Sequence, residues 1–93
     1  MSKINEIVVL GASFCQPCKL VKRLATKYKE EVNTDVELVF HEIDKGTISK
    51  VDAEALAGRS ISSVPVILID GKEVQGGANA FQNLMREESK AAE

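Results

Sequence analysis

Apolar residues first gather in Ile4–Ala12 (INEIVVLGA), a β-branched run stopped by Gly11 that reads as a buried strand. From Gln16 to Glu31 the spacing changes: Leu20, Val21, Leu24, Ala25 and Tyr28 fall three and four apart, the stripe of an amphipathic helix. Asn33–Asp35 breaks that helix, and Val36–Asp44 (VELVFHEID) reads as a second strand. After a Lys-Gly-Thr turn, Ile48–Ala57 predicts a second helix that ends at Gly58. Val64–Asp70 (VPVILID) predicts a third strand, and the Asp70-Gly71 pair a hairpin turn into KEVQ, a short fourth strand. A last helix is expected from Ala78, fraying beyond Glu88. The order is β-α-β-α-β-β-α. Each of the first two crossovers contains a helix, so right-handed connections predict three parallel strands, with the final hairpin adding an antiparallel edge.

Composition narrows the class. With 93 residues, 44% apolar and 28% charged, and no repeat, linker or low-complexity tract, the chain is expected to form one domain over residues 1–93. There is no Trp, one Tyr and three Phe, so Val, Ile, Leu and Ala must fill the core, which suits a mostly parallel sheet flanked by helices. The net charge of -2 leaves no electrostatic footprint for nucleic acid. The N-terminal segment lacks the long apolar run and cleavage site of a signal peptide, and no stretch approaches the roughly 18 apolar residues of a membrane span. The expected compartment is the cytoplasm, which disfavours a permanent structural disulfide.

That matters for Cys15 and Cys18, the two cysteines of the chain. They follow the first strand, at the end of the sheet where functional groups gather in open α/β folds. Four readings are open. A structural disulfide would close a very short loop. A zinc site needs about four ligands, and His41 is the one further soft ligand. A metal or iron-sulfur cluster shared by two chains would have four thiolates. A redox-active Cys-X-X-Cys fits the βαβ context, which is read independently of the cysteines.

The redox reading also explains the spacing. Cys15 stands at the mouth of the helix, where free N–H groups and the positive dipole end favour a thiolate, and is the expected nucleophile. Cys18 shares its helical face and is placed to resolve a mixed disulfide on Cys15. Pro17 suits a first helical turn. Lys19, Lys22 and Arg23 crowd the first half of this helix and Glu30 and Glu31 its end, opposite to the dipole's preference. Such cations either serve Cys15 or an anionic partner, or form a solvated basic face.

FCQPCK, the later SVP and the following GKEVQGG, in this order on this strand pattern, resemble the thioredoxin and glutaredoxin superfamily over essentially the whole chain. The resemblance implies a thioredoxin-like, glutaredoxin-sized α/β fold: a central four-stranded mixed sheet flanked by helices. It implies a cis Pro65 beside the cysteines, with the Val64 backbone pairing with an extended substrate. Gly76 and Gly77 resemble the turn that helps hold glutathione in glutaredoxins, although glycines here equally permit a tight turn. Phe14, Gln16, Pro17 and Lys19 are then active-site support. Phe14 stands where thioredoxins usually carry Trp, Val9 where many have a buried acid, and Pro17 where glutaredoxins usually carry Tyr. Arg59 either meets a substrate carboxylate or is solvated, His41 reads as a strand histidine, and Tyr28, Phe40 and Phe81 as packing residues.

The function so implied is a cytoplasmic, monomeric thiol-disulfide oxidoreductase that reduces protein or glutathione-mixed disulfides through Cys15 and Cys18. It would bind no cofactor or metal. Glutathione, or a thioredoxin reductase with NADPH, would be the electron source, and ribonucleotide reductase is a candidate among the protein substrates. Neither nucleic acid nor membrane is an expected partner. The alternative is a non-enzymatic carrier in which two chains bridge an iron-sulfur cluster.

Overall fold

β1 (Glu6–Gly11) is buried on both faces, and alternation along it builds the layers. Ile7 and Val9 face a cluster with Val21, Ala25, Tyr28, Ile67, Phe81 and Met85, whereas Val8 and Leu10 face Ala53, Ile61, Val66 and Leu68. Helices α1 (Gln16–Glu31) and α3 (Gly77–Ala92) thus cover one side of the sheet and α2 (Lys50–Ala57) the other. This computed structural model describes residues 4–46, 48–61 and 64–92. Thr47 of the Lys-Gly-Thr turn, and Ser62 and Ser63 of the loop before Val64, lie outside them.

The sheet order is β2-β1-β3-β4, with β2 (Glu37–Glu42), β3 (Val66–Ile69) and β4 (Lys72–Glu73). β2 runs parallel to β1, with Ile7 opposite Leu38 and Leu10 opposite His41. β3 runs antiparallel to β1, pairing Leu10 with Val66 and Ile7 with Ile69, which corrects the expectation of three parallel strands. The reason lies in α2. Its eight residues span about 12 Å, well short of the ~20 Å of a six-residue strand, so it does not carry the chain back along the sheet. Ala53 and Ile61 pack on Leu10 and Val66, and the chain enters β3 at the same end at which β1 finishes.

Local chemistry sets the other boundaries. Ser49 caps α2 by accepting the Asp52 N–H at 3.1 Å, and Gly58 closes it as predicted. Asp70 and Gly71 both have positive φ, 51° and 85°, as a two-residue hairpin requires. The Asp70 carboxylate also accepts the N–H groups of Asn5 and Glu6 at 3.0 and 2.9 Å, tying the turn to the start of β1. Buried Asn33 donates to the Ile4 carbonyl at 2.8 Å, fixing the end of α1 beside the same strand. α3 continues to Ala92, past the expected fraying point at Glu88, whose carboxylate accepts from the Tyr28 hydroxyl on α1 at 3.3 Å. No helix among the described residues is long and apolar enough to cross a membrane.

Replacing Asp70 by Ala removes the acceptor of two backbone N–H groups from a residue in a left-handed conformation. It is expected to lower stability by about 1–2 kcal/mol, while Asp70→Asn, which keeps an acceptor and tolerates that conformation, loses less than half as much. Urea midpoints of the three proteins check this order.

Candidate active site

The chain leaves β1 through a tight turn in which the Cys15 N–H donates to the Ala12 carbonyl at 3.2 Å. Cys15 is the residue that caps α1: its backbone is extended, and its Sγ accepts the Cys18 N–H at 3.1 Å. Pro17 occupies the first turn, where no N–H is needed. A disulfide joins Cys15 and Cys18, their Cα atoms 5.2 Å apart, and both cysteines are buried. Around them Phe14 is 76% exposed, and Gln16, Pro17 and Lys19 are exposed as well.

Cys18 rests directly on the last residue of β1. A Cβ built on Gly11 would stand 3.0 Å from Cys18 Sγ and 3.1 Å from its Cβ, closer than side chains normally pack. Gly11 is therefore part of the site, although along the sequence it reads only as a strand stop. Its position two residues past Val9 and four before Cys15 is the signal that marks it.

The antiparallel return of β3 brings Val64 and Pro65 to the same place. The Val64–Pro65 peptide is cis, the Val64 carbonyl oxygen lies 3.9 Å from Cys15 Sγ, and Val64 packs on Ala12, Cys15 and Cys18. Gly76 and Gly77, φ 99° and 67°, precede and open α3, and a Cβ on Gly76 would meet the Ala80 Cβ at 2.9 Å. The backbone alone thus accounts for glycine at position 76. Between this turn and the disulfide lies a cleft of about 490 Å³ lined by Gln16, Pro17, Leu20, Pro65, Ala78 and Asn79.

Two further contacts were not read from the sequence. Asp44, just beyond β2, accepts the Ser13 N–H at 3.0 Å and the Ser13 hydroxyl, locking the turn before Cys15 to the neighbouring strand. The Ser13 hydroxyl first, and its backbone N–H second, hold the Asp44 carboxyl below its ordinary value. The partners are 31 residues apart, so no local pattern announces them. Arg59 is solvent-exposed, its side chain 44% accessible, and it grips Glu73 of β4 through two contacts of 2.7 and 2.6 Å; this pairing holds the Glu73 carboxyl low. The solvated reading of Arg59 therefore holds, with Glu73 as a partner that the sequence did not announce. His41 stands on β2 and lines a cleft with Cys18.

No family model matches the chain. Curated relatives do. Glutaredoxin of Haemophilus influenzae is 35% identical over 82 residues, 88% of this chain and 92% of the relative. Among solved structures, reduced Escherichia coli glutaredoxin superposes with a TM-score of 0.72 at 29% identity, covering 91% of this chain and 98% of its own. Fasciola hepatica thioredoxin superposes with a TM-score of 0.58 at 25% identity, covering 95% and 80%.

Gly11→Ala separates packing from propensity. Strand propensity alone favours Ala by about 0.5–1 kcal/mol, whereas the clash with Cys18 costs about 1–3 kcal/mol, so the oxidised protein is expected to be net destabilised in urea. The Asp44 contact has a pH signature. A carboxyl held low when folded contributes stability that is complete above its unfolded value, 3.8, and is lost as pH falls through the folded value. Ser13→Ala should therefore lower the urea midpoint at neutral pH, and the gap to wild type should narrow as pH falls below about 4.

Proposed function

The chain belongs to the glutaredoxin family of thiol-disulfide oxidoreductases, and from that premise we propose that Cys15 is the attacking and Cys18 the resolving thiol in the reduction of protein and glutathione-mixed disulfides. The observation that carries this reading is the Cys15–Cys18 disulfide at the β1–α1 junction, with the Val64 carbonyl against Cys15 Sγ.

In the reduced protein the Cys18 N–H, already directed at Cys15 Sγ, and the N-terminal end of α1 favour a thiolate on Cys15. That thiolate attacks one sulfur of the substrate disulfide. The substrate S–S bond breaks, and the departing thiolate takes a proton from water. Cys18, deprotonated, then attacks Cys15 Sγ and expels the second substrate sulfur. Two electrons pass from the dithiol to the substrate, leaving Cys15 and Cys18 joined. The Val64 backbone pairs with the extended substrate segment, Pro65 borders it, and Phe14, Gln16, Pro17 and Lys19 frame the approach. Gly76 and Gly77 hold a glutathione carboxylate through backbone N–H groups at the start of α3.

Regeneration then draws on glutathione, or on a thioredoxin reductase with NADPH, and ribonucleotide reductase is a candidate acceptor. A working dithiol needs a reducing compartment, so the protein is placed in the cytoplasm, acting as a monomer formed by one domain.

Cys15→Ser is expected to lower disulfide reduction by at least about a thousandfold. Cys18→Ser should instead accumulate a mixed disulfide on Cys15, visible as an adduct mass. Full activity of Cys15→Ser would overturn the assignment. Following NADPH with thioredoxin reductase, or with glutathione and glutathione reductase, identifies the donor. Anaerobic reconstitution with iron and sulfide should leave a colourless monomer; a coloured dimer would favour the cluster carrier.

A further inference from the structure

The basic residues of α1 acquire a definite place in the fold. Lys19 and Lys22 line a cleft of about 440 Å³ on the Cys18 side of the disulfide, and Lys45, from the turn after β2, lines it too, with His41 and Glu42. Three lysines thus face one carboxylate in a chain whose net charge is -2. Arg23, next in sequence to Lys22, does not line the cleft. The Lys22 ammonium lies 5.5 Å from the centre of the Phe40 ring, which holds it against the cleft wall. α1 carries no acidic residue in its first turn, so the lysines add to the positive end of the helix instead of being offset there. The cleft beside Pro65 differs: among the described residues no charged side chain lines it.

We propose that the cleft beside Cys18 is a docking subsite for acidic side chains of a polypeptide substrate, so that the protein prefers disulfides carried by acidic segments. This rests on the oxidoreductase reading above. The cleft includes Cys18 but not Cys15, while Cys15 Sγ faces the Val64 carbonyl. A substrate sulfur bonded to Cys15 must therefore continue past Cys18 to bring carboxylates to the lysines. An extended polypeptide, advancing about 3.3 Å per residue, reaches in this way. Fields of this kind act mainly on encounter, raising association rates by about tenfold or more, and weaken with salt.

The test uses two synthetic peptides with one internal disulfide each, identical except that the flanking positions carry Asp in one and Asn in the other. The full chain should reduce the acidic peptide with a kcat/KM about tenfold higher in dilute buffer, and the ratio should approach one in about 0.5 M NaCl. Lys22→Gln with Lys45→Gln should collapse the ratio, and Lys→Arg at both positions should restore it. Equal rates in dilute buffer, or a preference that survives the double Gln variant, would overturn the proposal while the Asn peptide still reports a working oxidoreductase. A double Gln variant that slows a glutathione mixed disulfide as much as the Asp peptide would reassign the cleft to glutathione and equally overturn it. If the wild type reduces neither peptide, the oxidoreductase reading itself fails and takes this one with it.

Discussion

Cys18 lies against the end of β1 with no room for a methyl group between them, and the geometry of the site follows from that contact. Because Gly11 lets the helix approach so closely, Cys18 is buried at its base and Cys15 is left at the cap, where the Cys18 N–H reaches its sulfur. The same approach places the Cys15–Cys18 pair beside Val64, whose carbonyl oxygen faces Cys15 Sγ. Two long-range ties secure the ends of this arrangement. Ser13 is anchored on Asp44 just ahead of Cys15, and the far end of β1 is anchored on Asp70.

Much of this was legible along the chain. A continuous β-branched run stopped by Gly11 located β1, the three-and-four-residue spacing after it located α1, and the turn residues located the hairpin and the end of α2. The cysteine pair at a strand-to-helix junction, followed by Val64-Pro65, pointed to redox chemistry. The direction of β3 was not legible, because the crossover rule asks whether a helix intervenes, and here the shortness of that helix decides. Asp44 and Glu73 were invisible for another reason. Ion pairs and hydrogen bonds between distant segments leave no periodicity, so Ser13 and Arg59 carried no sign of their partners.

Electrostatics divides the surroundings of the disulfide into unlike halves. Toward Pro65 and the start of α3 the cleft is lined by Gln16, Pro17, Leu20, Pro65, Ala78 and Asn79, with no charged side chain among these lining residues. Toward the end of β2 the surface is cationic. The inverted charge order of α1, with bases first and acids last, works against the helix dipole but concentrates positive potential where the thiols react. The two sides of one sulfur pair thus differ in charge.

β4 is two residues long, Lys72 and Glu73, and Glu73 is already held by Arg59. An edge strand ordinarily offers a row of open N–H and C=O groups on which another chain can build. Here that row is too short to template a further strand, and a cation and an anion stand on it. The latch from the loop after α2 to this edge therefore does more than close the hairpin: it guards the sheet against growing by strand addition at the edge formed by β4.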